Sequence, residues 1–218
     1  MKATALTHSD SGWWWAVTAD QRHSRRSPDL VPDALALLSD LGELAAERST
    51  GDELQVAGRS AEDLLTVLER LIRAEDWRIG VGFGPIEVAA SVRESRGPAF
   101  IAARDAIEAA PSTAAGIAFA SPAGVVGATQ YARGDEPREA GVARAHATVV
   151  MLQHVWSKRG KEGWDVVDAM ADGLTGRESA ERLGISPSAV SQRLRTAGWQ
   201  ASLLGSGLFV DVVSEVLA

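Results

Sequence analysis

Hydrophobic positions along the chain switch between strand-length runs and helical spacing. The run WWWAVTAD, Trp13 to Asp20, is apolar, of strand length, and ends on an acid. Large aromatic and β-branched residues suit a pleated, buried surface. The polar, basic stretch QRHSRRSPD follows as a loop. In PDLVPDALALLSDLGELAAERS, Leu35, Leu38, Leu41 and Leu44 recur at helical spacing behind Asp33, which predicts a helix. STGDELQVAG, Ser49 to Gly58, reads as two short strands around a turn, with Asp52 and Glu53 at the tip. Gly and Asp tolerate turn geometry. SAEDLLTVLERLIRAED is a second amphipathic helix, capped by Ser60 with Asp63 three residues on. WRIGVGFGPIEVAAS is a strand and a turn. GPAFIAARDAIEAA is a helix with Pro98 in its first turn, and TAAGIAFASPAGVVGA is a last strand and turn.

The order strand, helix, hairpin, helix, strand, helix, strand predicts an α+β fold with a mixed, largely antiparallel sheet whose helices cover one face. Strand–helix–strand crossovers are right-handed. The first helix therefore returns the chain so that the hairpin lies beside the first strand, which brings Asp20 near Asp52.

The pattern changes after about residue 134. EPREAGVARAHATVVMLQHVWSKRG is a long helix with Val142, Ala145, Val149, Leu152 and Trp156 as its apolar stripe. Short helices with tight turns follow: WDVVDAMADGL, GRESAERLG and ISPSAVSQRLRTAGW. These predict an all-α helix-turn-helix module. Ala180 is small where the helices cross, and Gly184 suits a turn with positive φ. Ser186 caps the next helix and Pro187 opens it. Leu183, Ile185, Val190 and Leu194 form the shared core. Ser188, Ser191, Gln192 and Arg195 are left on the outer face with Arg193 to one side, and Lys158, Arg159 and Lys161 lie just upstream. Ser, Gln and Arg hydrogen-bond base edges or phosphates, so the pattern points to double-stranded DNA. The competing reading is a helical hairpin used only for packing or dimerisation. The organisation expected is an α+β domain over 1–134, a connecting helix over 135–160, the helix-turn-helix module over 161–200 and an apolar C-terminal helix over 201–218.

Composition narrows the function classes. Hydrophobic residues make up 45% of the 218, enough for a packed core. There are no cysteines, which excludes disulfides, zinc–thiolate sites and thiol catalysis. No apolar run approaches the roughly 18 residues of a membrane span, and the first residues lack a secretory segment. The expectation is a cytoplasmic protein with no membrane partner. The net charge of −7 argues against non-specific coating of nucleic acid. Between Lys158 and Arg195, seven basic residues face six acidic ones, so the module is nearly neutral in an acidic chain. A small neutral module makes few phosphate contacts. A homodimer is therefore expected, through the stripe Val142 to Trp156 and the tail Leu208 to Leu217, reading half-sites about 34 Å apart.

TADQRHSR, TGDELQ, RIGVGFG, SRGPAFIAARDAIE, WSKRG and ESAERLGISPSAVSQRLRTAGW together resemble the SatD-like proteins of bacteria, over about Trp13 to Trp199. That family is often described as DNA-binding or regulatory. Its N-terminal part resembles the palm, or ferredoxin-like, fold of nucleotide cyclases and GGDEF-type diguanylate cyclases. The resemblance implies a magnesium site with Asp20 ending the first strand and Asp52 in the hairpin turn, and a nucleotide ligand. Thr50 replaces the first Gly of GGDEF and Leu54 replaces Phe, and Ala19 stands where SatD-like relatives usually have Gly. No set of Lys, Arg and Asn for a transferring phosphate is visible.

Mg²⁺ takes one or two carboxylates plus phosphate oxygens, so Asp20 and Asp52 suffice only with a nucleotide present. Ser24 and Arg25, just after Asp20, and Glu53 are the accompanying ligand candidates. The alternative is that Asp52 shapes the turn and Glu53 faces solvent. Gly80, Gly82 and Gly84 in GVGFG match no nucleotide fingerprint and read as a packing device. His8, His23, His146 and His154 are scattered and read as structural or solvated. Three functions stay open: a DNA-binding regulator with a sensory or scaffolding N-terminal domain, a Mg²⁺-dependent nucleotide enzyme with an accessory helix-turn-helix, and an adaptor with neither activity.

Overall fold

β1 (Trp14–Gln21) is a central strand, and its period-2 alternation divides the molecule. Trp15, Val17 and Ala19 face one large core, whereas Trp14 and Ala16 face a smaller one. The chain continues through α1 (Val31–Leu37), β2 (Leu44–Arg48), β3 (Glu53–Gly58), α2 (Ala61–Arg73), β4 (Trp77–Gly84), α3 (Pro98–Ala109), β5 (Ile117–Ser121) and the two-residue β6 (Gly124–Val125). The helices α4 (Pro137–Trp156), α5 (Lys161–Ala171), α6 (Gly176–Leu183), α7 (Pro187–Thr196) and α8 (Trp199–Leu217) follow. This computed structural model describes residues 12–113, 115–126 and 137–218. Among them the fold is α+β, with eight α-helices around one six-stranded mixed sheet of order β2-β3-β1-β4-β5-β6. Only β4 and β5 pair in parallel; every other neighbour is antiparallel.

Several local predictions hold for the expected reasons. The Ser60 hydroxyl caps α2 by accepting the Asp63 N–H at 3.0 Å. Gly97 and Pro98 open α3. Gly184, at φ 64°, closes α6, and Ser186 caps α7 through the Ala189 N–H. The cap of α6 itself was missed in the sequence: Thr175 and Glu178 form a reciprocal capping box.

Three expectations change. The leucine run 35–44 is not one helix. The helix ends at Leu37, Gly42 turns the chain at φ 84°, and Leu44 opens β2. Helices cover both faces of the sheet rather than one, because α3 lies alone on the side of Trp14 and Ala16. Gly80 and Gly82 permit this, since a Cβ on either would overlap the α3 backbone between Ala99 and Ile107. The α4 stripe and most apolar residues of the tail are not outward surfaces; of the tail's leucines, Leu208 alone is exposed. Val142, Val149, Leu152, Trp156, Phe209, Val213 and Val216 are buried in the same core as the sheet. Phe119 of β5 meets the rings of Phe83, His146 and Phe209 at 5.7, 5.4 and 6.4 Å. Among the described residues, α8 is the one helix long and apolar enough to cross a membrane, and its C-terminal half lies inside this core.

Candidate functional site

Antiparallel pairing aligns Asp20 with Glu53 on β3 and with Arg78 on β4. Directly opposed residues share a face, so these three side chains form a row on the α3 side, at the C-terminal end of β1. The Gln21 N–H donates to the Asp52 carbonyl at 3.0 Å, which docks the hairpin turn against the end of β1. Asp20 and Asp52 therefore converge across 32 positions of sequence. Burial first, and then the Asp52 charge, raise the Asp20 carboxyl above its ordinary pKa; the Arg78 guanidinium, 3.2 Å away, opposes them.

A cleft of about 400 Å³ opens here, lined by Asp20, Asp52, Arg78 and the loop His23–Arg26. Ser24 and Arg25 thus join the two acids, as the sequence placed them. Arg26 and Arg78 join as well, so the cleft carries the cations that no linear motif displayed. His23 sits at φ 59° in that loop, a conformation that a non-glycine residue adopts only when its surroundings hold it there.

Glu53 departs from its expected place. It is buried beside the cleft rather than lining it or facing solvent. The Ser49 hydroxyl donates to Oε1 at 2.8 Å, and Arg104 of α3 pairs with Oε2 at 3.4 Å. It ties the hairpin to α3 and leaves the ligand set. A metal fits only in part. No group of three His, Cys, Asp or Glu residues capable of holding an ion occurs among the described residues, and Arg78 already compensates Asp20. Protein groups alone do not complete a magnesium shell.

The second predicted site lies at the other end of the chain. Ser188, Ser191, Gln192 and Arg195 are exposed along one face of α7, with Val190 buried beneath them. The Ser191 hydroxyl donates to the Pro187 carbonyl at 3.1 Å. Arg193 is half-buried, with Nη2 3.7 Å from the Glu162 carboxylate. A groove of about 650 Å³ separates α7 from the α4–α5 junction, and Gln192, Arg193, Lys158 and Lys161 all line it. Lys158 is exposed, with Nζ 2.7 Å from His154 Nε2.

Arg159 departs from its assignment as a DNA contact. Only 8% of the residue is exposed. Its Nε donates to the Ala197 carbonyl at 2.7 Å, Nη2 donates to the Ser202 hydroxyl, and the guanidinium lies 4.7 Å from the Trp164 ring. It is a structural residue that fastens the α7–α8 turn to the start of α5. Arg73 of α2 approaches the same tryptophan ring at 4.4 Å and forms two 2.9 Å hydrogen bonds to Asp168. Burial pushes the nearby Glu69 carboxyl up and the Arg159 guanidinium down. No local pattern marks this cluster, because its members lie on α2, α5 and the α4–α5 junction.

No protein-family model, curated protein or solved structure matches the chain. The two sites therefore stand on their own geometry.

Proposed function

We propose that the protein is a DNA-binding regulator in which α5, α6 and α7 form a helix-turn-helix module and α7 reads the major groove of double-stranded DNA. One observation carries the reading. α7 presents Ser188, Ser191, Gln192 and Arg195 as a polar row beside a groove edged by Lys161, with Arg193 on its wall. Recognition helices use such a row for base edges while flanking cations meet phosphates. The left-handed Gly184 and the Ser186 cap give the tight turn that this motif requires.

Selection of bound duplexes from genomic DNA, followed by gel-shift titration, tests the proposal. A few sequences should enrich. Arg195→Ala should weaken binding by about 1–3 kcal/mol and relax the preference at one base position. Failure of the wild-type protein to retain any duplex would overturn it.

A second reading concerns the N-terminal layer, and the convergence of Asp20 and Asp52 favours it. The order β2-β3-β1-β4 supports a palm, or ferredoxin-like, domain of the nucleotide-cyclase kind, in keeping with a place among the SatD-like proteins and a cytoplasmic setting. Arg25, Arg26 and Arg78 suit the phosphates of a nucleotide. The Arg78–Asp20 pair occupies one of the two carboxylates that magnesium would use. This favours a sensory or scaffolding role over catalysis, with a magnesium-dependent cyclase-like enzyme as the alternative. Equilibrium dialysis with labelled nucleotides, with and without magnesium, tests the binding, and product analysis tests turnover.

A further inference from the structure

α4 and α8 lie antiparallel, with Gly141 against Val216 and Leu152 against Gly205. Their inner faces are buried in the core, but the outer face of the pair is not polar. Met151 is 72% exposed, Leu204 70% and Leu208 55%. On α4, Met151 shares a flank with Arg144, and Lys158 lies just past the helix end; on α8, Leu204 and Leu208 share a flank with Asp211 and Glu215. These two flanks adjoin, as the 3.1 Å pair between Arg144 and Glu215 demonstrates. The three apolar side chains therefore form one strip. At one end lie Asp211 and the Arg144–Glu215 pair, and at the other His154 and Lys158.

We infer that this strip is the contact between two copies of the chain. Two arguments select a second copy over other occupants. The charges are self-complementary: a two-fold axis perpendicular to the helices, through the apolar middle, sets the Asp211 end of one protomer against the Lys158 end of the other. The size fits as well. A face about 30 Å long and at most about 20 Å wide gives up to about 600 Å² per partner, at the lower end of specific interfaces.

Sedimentation of the free protein at micromolar concentration, with no DNA present, tests the inference separately from DNA binding. The expected mass is 46 kDa, twice 23.0 kDa. Leu204→Glu with Leu208→Glu should give 23 kDa with unchanged helical circular dichroism, because both residues are largely exposed. Asp211→Lys and Lys158→Asp should each weaken the dimer at least tenfold, and the doubly reversed chain should regain it. A wild-type monomer at every concentration overturns the inference. So does a monomer that cosediments with lipid vesicles, since the strip would then meet a membrane surface. A dimer that persists in the Leu204→Glu, Leu208→Glu chain, or fails to respond to charge reversal, places the contact elsewhere and also overturns it.

Discussion

Two titratable residues show how placement sets chemistry at the scale of single side chains. His146 is buried on α4, with Nε2 3.2 Å from the Ile117 carbonyl, which accepts its proton. Burial lowers its pKa below the ordinary value of 6.5. As pH falls from 6.5 toward that lower value, the unfolded chain takes up a proton that the folded chain refuses. Stability should therefore decline over this window, and His146→Gln should flatten the decline, as urea titrations at stepped pH would record. Asp20 behaves oppositely to an ion-paired surface carboxylate, because burial and Asp52 outweigh Arg78. Asp52→Asn should lower the Asp20 pKa toward 3.8 by removing the repelling charge, and carboxyl NMR titration reads this directly. An unmoved Asp20 would mean that the two acids do not interact and that the cleft is not a shared site.

At the scale of elements, legibility followed locality. Caps, turns and strand runs were readable because each depends on a few neighbouring residues, as Ser60, Gly184 and Ser186 illustrate. The leucine run 35–44 misled because helical spacing continued past Gly42, whose left-handed φ redirects the chain against Ala57 and Val56. The convergence of Asp20 and Asp52 was legible from the order of elements. The burial of Arg159 and Glu53 was not: each is decided by partners on other elements, Ser202 and Arg104, tens of positions away. The glycine pair in β4 lay between these cases, readable as a packing device but not as to which helix it admits. Gly82→Ala should cost about 3 kcal/mol or more, at the upper end of overpacking effects, because the new methyl meets α3 backbone rather than a movable side chain. Gly51→Ala, in the exposed hairpin turn at φ 51° with open space around its Cα, should cost less despite its backbone strain. Urea midpoints of the two variants would rank them; equal losses would mean that α3 yields easily.

At the scale of the whole molecule, the sequence division at 134, 160 and 200 does not correspond to separate cores. One apolar cluster runs from Trp15 on β1 through Trp164 and Val167 on α5 to Phe209 and Leu217 on α8. The module is further clamped to the sheet layer by Arg73, which pairs with Asp168 and stacks on Trp164. Coupling of this kind carries a ligand's effect from the Asp20 cleft to α7 only if the two regions share one packing arrangement. A shared core predicts a single cooperative transition, with far-ultraviolet circular dichroism and tryptophan fluorescence coinciding across a urea series. Phe209→Ala deletes the ring that packs against Phe119 and should cost about 3–5 kcal/mol. If the core is shared, the loss shifts the whole transition to lower urea with its slope unchanged. If α5–α8 were an independent unit, the same substitution would split the curve and leave the sheet layer's midpoint where it was. Arg73→Ala sharpens the distinction. It removes no core volume, and at a half-exposed pair it should cost only about 1–2 kcal/mol. Yet it cuts a charged link between α2 and α5, so a second phase appearing in this variant alone would identify that link as what makes the two regions unfold together.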